Sequence, residues 1–408
     1  MEDFFTGVRS QNYCLKCQKI DPSPVKKDGE LYCSKCDTRL RTKGAGLALS
    51  GGGFRAALFH LGSLWRLNEL GWLKRLAEVT SVSGGSITAG YLGLRWKELD
   101  FGEDGVATNF VDEVVQPLRE FCAHGIEGEG FIAGLARPYR RKLFGKATLQ
   151  DLPSDKEGPR FTIYATSLQT GVSVRFSRPY LADYELDKKI ESPHIQLATA
   201  VAASSAFPPI MCPVILRFKP SDWKDWDKKS KKGDLLSLSE KEKLLSTMAL
   251  TDGGVYDNLG LERVWDRYTT VLASDAGAPF SVTTGTCWRG LNRLSVTLRV
   301  INTVNEQTRR LRRRWLIKDF EEGEALGTYW GITTQISHYE LEAHGHPPPL
   351  LKDSDETKEL SKIPTRLKSL SDNKQERLIN WGYALTDAGM HRWVLEPGAK
   401  TGRLPFPE

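Results

Sequence analysis

From residue 46 onward, short apolar runs alternate with stretches in which apolar residues recur every three or four positions. "GLALS" (46–50) has the length of a buried strand, and Ala57, Leu58, Leu61, Leu64 and Trp65 then fall on one helical face that ends near Gly71. "AEVTSVS" (77–83) predicts a second strand and "ITAGYLGLRW" a second helix, before a helical, basic region over 100–150. "RFTIYATSL" and "VSVRFS" alternate like paired strands joined at Gln169–Gly171. "HIQLATAVAASSAF" predicts a helix and "PPIMCPVIL" a return to the sheet, while the charged stretch 218–246 reads as a surface insertion. "MALTDGGVYDN" and "YTTVLASDAG" predict two more strands, and about 300–408 reads as mainly helical. Strands alternating with helices predict an α/β fold, a mostly parallel central sheet covered on both faces, over residues 44–408.

Residues 1–43 break this pattern. They are Lys-rich and hold four of the seven cysteines, as "CLKC" (14–17) and "CSKC" (33–36). Cys14, Cys17, Cys33 and Cys36 have the spacing of two knuckles that close a tetrahedral, structural Zn²⁺ site. Two disulfides are the competing reading, disfavoured by the polar start of the chain, which lacks an export signal and points to a reducing cytoplasmic setting. A zinc ribbon of this size would draw its stability from the metal and could meet a protein or nucleic-acid partner. The remaining Cys122, Cys212 and Cys287 read as core thiols.

Composition narrows the class only moderately. At 40% hydrophobic and 26% charged residues over 408 positions, the chain has the make-up of a globular protein with a large core. A net charge of +6 suits an anionic surface but does not by itself indicate nucleic acid. The uncharged run Ile195–Leu216 is long enough to span a bilayer, yet Pro208, Pro209 and Pro213 would break a spanning helix, so contact with lipid would be peripheral. Two basic segments could lie at such an interface: "RRLRRRWLIKDF" (309–320), with Trp315 and Leu316 among five arginines, and "RPYRRKLFGK" (137–146). The alternative for the first is a solvated helix whose arginines pair with Glu321, Glu322 and Glu324.

The chemistry concentrates in three short segments. "SGGGFR" (50–55) follows a strand and opens a helix, a layout that aims backbone N–H groups at an anion. It fits neither a dinucleotide site, because the next strand ends "TSVSGGS" without an acid, nor a P-loop, because G-K-[ST] is missing. A ligand-free tight helix entry stays open at this point. "SVSGGS" (81–86) has the layout of a nucleophile elbow centred on Ser83, with Ser81 where a glycine is usual. A serine needs a base, and the histidines offer little; His60 reads as a packing residue. Asp252 in "TDGGVYDNLG" ends a strand at a sharp turn and would share a sheet edge with Ser83, although such an aspartate is also a common turn cap.

Taken together, "SGGGFR", "SVSGGS" and "TDGG" in this order resemble the patatin-like phospholipases. "YATSLQTGVSVRFS", "ASSAFPPIMCPV", "DGGVYDNLG" and "NWGYALTDAG" are similar to their bacterial branch, the resemblance covering roughly 46–275 and returning at 381–389. It implies a three-layer α/β/α fold and a lipid acyl hydrolase that cleaves membrane phospholipid esters with a Ser–Asp dyad, in a layout related to cytosolic phospholipase A2. By position, the nucleophile falls on Ser83, the base on Asp252, the oxyanion donors on Gly51, Gly52 and Gly53, and the arginine closing the turn on Arg55, beside which a lipid phosphate is expected. No metal serves catalysis in such enzymes, so the zinc ribbon stands outside the chemistry. An aspartate with an ordinary pKa of about 3.9 is a poor base at neutral pH, so this mechanism requires a desolvated Asp252. The alternative is a regulated effector, its hydrolysis switched or vestigial, whose ribbon receives a partner.

Overall fold

The structure, a computed structural model, describes residues 12–27, 30–209, 211–226, 238–282 and 293–407. Two short antiparallel pairs, β1 (Tyr13–Cys14) with β2 (Lys19–Ile20) and β3 (Val25–Lys27) with β4 (Glu30–Tyr32), form the N-terminal ribbon. It leads directly into β5 (Thr42–Leu49), α1 (Gly53–Glu69), β6 (Leu76–Val82) and α2 (Gly84–Arg95). Next come β7 (Arg160–Ser167), β8 (Ser173–Ser177), β9 (Tyr180–Asp183), β10 (Lys188–Glu191) and α3 (Leu197–Ser204). The chain continues through β11 (Val214–Arg217), β12 (Lys224–Asp225), β13 (Thr247–Asp252), α4 (Glu262–Arg267) and β14 (Tyr268–Asp275). A long helix α5 (Arg293–Glu321), β15 (Leu326–Gly331) and α6 (Asp372–Trp393) complete the elements that matter here.

Eleven strands share one sheet, in the order β12-β10-β9-β8-β7-β6-β5-β14-β15, with β13 also paired to β7 and β11 to β13. The sheet is mixed. From β7 to β15 neighbouring strands are parallel, because helical crossovers return the chain to the same end. Beyond β7 every pairing is antiparallel, starting with the tight β7–β8 turn. The parallel layout expected from the sequence therefore describes the half that holds the glycine turn and Ser83.

Helix α1 is buried on nearly all sides, which its apolar run allows. It lies between the sheet and α6, and the two helices cross at glycines. A Cβ on Gly62 would stand 1.9 Å from the Ile379 oxygen, and one on Gly382 would stand 2.0 Å from the Phe59 oxygen. Asp387 on α6 pairs with Arg66 on α1 at 2.6 Å inside this contact. The segment "NWGYALTDAG" thus acts as the outer brace of the helix that follows the glycine turn.

Several expectations change. The 300–408 region contains a strand, β15, which extends the parallel sheet beside β14. The insertion at 218–246 is not wholly a surface excursion: β12 forms a sheet edge against β10, and buried Trp223 donates to the Leu245 oxygen at 2.8 Å. Residues 227–237 of that insertion lie outside the described residues. The arginines of α5 do not pair with Glu321, Glu322 or Glu324. Arg309 meets Asp275 and Glu306, Arg310 meets Glu306, and Arg312 meets Asp257. In the 137–146 segment, Tyr139 and Phe144 are core residues, and Arg141 and Lys142 pair with Glu129. Cys122 is buried, Cys212 is half-buried, and Cys287 lies outside the described residues. Among the described residues, no helix is long and apolar enough to cross a membrane.

Candidate active site

Three chain turns converge at the carboxyl ends of β5, β6 and β13. The first is the glycine stretch between β5 and α1. Gly52 and Gly53 take φ of 149° and 60°, conformations that L side chains rarely adopt. A Cβ on Gly53 would also stand 2.5 Å from the Arg366 oxygen. Of the three amides expected to face an oxyanion, that of Gly51 is committed, donating to the Asn258 oxygen at 3.0 Å. Those of Gly52 and Gly53 have no acceptor among the described residues.

The second turn carries Ser83 between β6 and α2. Its backbone sits at φ 51°, ψ −117°, a region almost reserved for glycine, and this strain projects the side chain at the tip of the turn. What holds the turn is a small hydroxyl network. Ser204 accepts from the Ser83 amide at 2.8 Å and bonds Ser86 at 2.9 Å, and Ser86 donates to Ser81 at 3.0 Å. Ser81 is therefore a working part of the elbow. Behind Ser83, Gly84 packs directly on the glycine turn, where a Cβ would meet the Gly53 oxygen at 2.1 Å. The Gly84 amide, at the first position of α2, is a donor that the sequence reading did not include.

The third turn follows β13. Asp252 is 4% exposed, and its Oδ1 accepts from the Gly254 amide at 2.7 Å. Its main chain is pinned to the end of α3: the Asp252 amide donates to the Ala206 oxygen at 3.0 Å and the Gly253 amide to the Ser204 oxygen at 3.2 Å. One short helix end thus positions both Ser83 and Asp252. Burial pushes the Asp252 carboxyl up to about 6, against the opposing pull of the Gly254 amide and the Ser83 hydroxyl.

Ser83, Asp252, Gly51 and Gly52 line one cavity of about 390 Å³, together with Phe207, Asn258 and residues of α5. Asn258 has no side-chain partner among the described residues, so its amide is available to a bound molecule. Nothing in "YDNLG" distinguishes it from a turn residue in the sequence; the cavity does.

Arg55 also lines this cavity. It is fully buried, and its guanidinium donates to the Ala276 oxygen at 3.0 Å, to Thr365 Oγ1 at 3.0 Å and to the Ile363 oxygen. Three of its five N–H groups thus brace the glycine turn against two loops. His60 is likewise structural. It is buried beneath the same turn with its ring nitrogens on the Ser50 oxygen and Ser274 Oγ, and burial lowers its pKa to about 4.

Far from this cavity in the sequence, the ribbon gathers Cys14, Cys17, Cys33 and Cys36, whose sulfurs all lie within 4.8 Å of one another. Sulfur separations of 3.4, 3.4 and 3.9 Å rule out S–S bonds at about 2.05 Å. They bracket the ~3.8 Å edge of a tetrahedron built on Zn–S bonds of about 2.3 Å. The Cys17 amide also points at Cys14 Sγ, 3.3 Å away, as a knuckle requires. The four cysteines can hold a tetrahedral metal ion with no ligand position left for water.

The chain is similar in structure to human GIVD cytosolic phospholipase A2, with a TM-score of 0.47 and 14% identity over 86% of this chain, which spans 59% of the human protein's length. A second structure of that protein, with methyl gamma-linolenyl fluorophosphonate, gives a TM-score of 0.44, 15% identity and coverages of 86% and 60%. VipD from Legionella pneumophila matches with a TM-score of 0.33 and 14% identity, over 89% of this chain and 69% of its own. No curated protein matches significantly. The Patatin-like phospholipase family model matches residues 47–265, a span that runs from the glycine turn through Ser83 to beyond Asp252. With more than half of the chain inside that match, the protein belongs to the patatin-like phospholipases.

Proposed function

We propose that the protein is a lipid acyl hydrolase acting on the fatty acyl esters of membrane phospholipids through a Ser83–Asp252 dyad. The observation that carries this reading is the buried carboxyl of Asp252, raised in pKa and sharing one cavity with a serine held in a strained turn. Ser83 Oγ attacks the ester carbonyl while its proton passes to Asp252. The oxyanion is held by the unpaired amides of Gly52 and Gly53 and by that of Gly84 at the positive end of α2. Asp252 then returns the proton to the departing alcohol, leaving an acyl-Ser83. Asp252 next takes a proton from a water that attacks the acyl carbon and passes it to Ser83 Oγ as the C–Oγ bond breaks, releasing the fatty acid and restoring the dyad. The cysteine ribbon holds Zn²⁺ as a structural ion outside this cycle, and contact with the bilayer is peripheral.

The test is fatty-acid release from phospholipid vesicles, with a water-soluble short-chain ester as second substrate. Ser83→Ala should abolish both reactions while keeping the fold; equal release by variant and wild type would remove the dyad. A separate expectation concerns the oxyanion donors. Because the Gly53 backbone cannot yield to a Cβ on Gly84, Gly84→Ala should part the two turns and reduce turnover on the soluble ester by about 10²–10³-fold.

A further inference from the structure

The chain's positive excess is not spread evenly. Helix α5 (Arg293–Glu321) carries eight arginines and lysines against three acidic residues, nearly the whole net charge of the protein. Its inner face is fixed: Arg309 reaches Asp275 at the end of β14 at 2.8 Å, Leu316 is buried, and Arg312 meets Asp257. The outer face is apolar as well as basic. Val296, Val300, Val304, Leu311 and Trp315 follow at intervals of four, four, seven and four residues, so they form one stripe, and all are exposed, Val300 and Val304 at 55%. Exposed Arg310, Arg314 and Lys318 run along its flank. Arg314 has no ion-pair partner among the described residues.

We infer that this outer face of α5 docks the protein on an anionic lipid surface. The inference rests on the hydrolase reading for its purpose but not for its evidence. A stripe of valines with a tryptophan among basic side chains suits the boundary between headgroups and acyl chains, where cations meet lipid phosphates. A second copy of the chain is the poorer occupant, since two such faces would bring like charges together. The position is also apt. Arg299, Asn302 and Asn305 on the same helix line the catalytic cavity, as do Phe280 and Ser281, and the adjacent Val282 is 87% exposed. Docking through α5 therefore sets the cavity beside the membrane, from which an acyl chain can enter without crossing water.

The experiment is co-sedimentation of the full chain with vesicles of phosphatidylcholine alone or mixed equally with phosphatidylglycerol, alongside hydrolysis of the soluble ester and sedimentation velocity. Wild type should bind the mixed vesicles, bind pure phosphatidylcholine far less, and lose affinity with added salt. Val300→Asp combined with Val304→Asp should weaken vesicle binding by roughly tenfold or more while leaving soluble-ester turnover and the melting temperature unchanged. The inference is overturned if this variant binds as wild type does, or if wild type hydrolyses the soluble ester yet ignores mixed vesicles. It is equally overturned if wild type is a dimer that the variant dissociates without loss of vesicle binding. Vesicle binding without ester hydrolysis would instead remove the hydrolase reading and leave the docking face standing.

Discussion

Asp252→Asn should make the protein inactive and, at the same time, more stable. Both effects have one cause, the desolvation of the carboxyl. Asparagine fills the same space but cannot accept the Ser83 proton, and loss of the orienting or accepting aspartate costs about 10⁴-fold in turnover in other serine hydrolases. The stability effect follows from where the proton is held. A carboxyl moved from 3.8 to about 6 binds its proton more tightly in the folded state than in the unfolded one. Its contribution to stability is therefore fully present below about pH 3.8 and lost as pH rises through 6, a difference of about 3 kcal/mol. The asparagine of the variant never ionises and keeps that stability, so the variant's melting temperature should exceed that of wild type by a few degrees at pH 8 and match it near pH 4. For wild type, kcat/KM on the soluble ester should fall about tenfold per pH unit below 6, because only the carboxylate form accepts a proton. A variant within tenfold of wild-type turnover, or a pH profile flat down to 4, would contradict the assignment.

A second costly arrangement stands at Ser83, whose φ of 51° would suit glycine better than any L residue. Aspartate ionised in a dry turn and serine in a strained one are both poor choices for folding alone. They stand on the same support, the end of α3, where Ser204 and Ala206 anchor the two turns. A fold that needed only a helix entry and a turn cap would have no reason to place both defects against one cavity.

What could be read from the chain divides along local and tertiary lines. The glycine turn, the elbow and the Asp-Gly-Gly turn were legible because each is a backbone conformation that demands particular residues within five or six positions. The destination of a hydrogen-bond donor is not local. Nothing in "SGGGFR" says that the Gly51 amide is taken by Asn258 or that the Arg55 guanidinium reaches loops some 220 and 310 residues away. Ser204 and Asn258 were invisible for the same reason. In the sheet, helix-bearing crossovers signal parallel pairing, but the antiparallel strands beyond β7 are two to six residues long and partly polar, so β12 was lost inside a charged segment. Strand β15, "LGTYWG", carries two glycines and lacks the apolar run that marked its neighbours.

Removal of zinc should dissolve the ribbon while the α/β body stays folded. The ribbon's own core consists of Cys14, Cys33 and Leu40, far too little apolar surface to hold some thirty residues, so nearly all its stability must come from the metal, about 10–16 kcal/mol in comparable four-ligand sites. Its attachment to the body is polar and narrow. Arg41, almost fully buried, exchanges main-chain bonds with Tyr13 at 2.8 and 3.0 Å while its guanidinium reaches the Trp265 oxygen and Asp319. Arg39 adds a bridge to Asp266 at 2.9 Å. Asp319 also accepts from the Trp265 indole at 2.8 Å, and Trp265 stacks on Trp315 of α5 with ring centres 5.9 Å apart. Chelation at neutral pH should thus release one zinc per chain, open residues 12–36 to protease, and change the fluorescence of the Trp265–Trp315 pair as Arg41 lets go of Asp319. The body's cooperative melting should persist, since its sheet begins at β5 and does not pair with the ribbon strands. Cys14→Ser should reproduce the protease sensitivity without chelator. A ribbon that stays protected after complete loss of metal would mean that Arg39 and Arg41, not the four sulfurs, hold it in place.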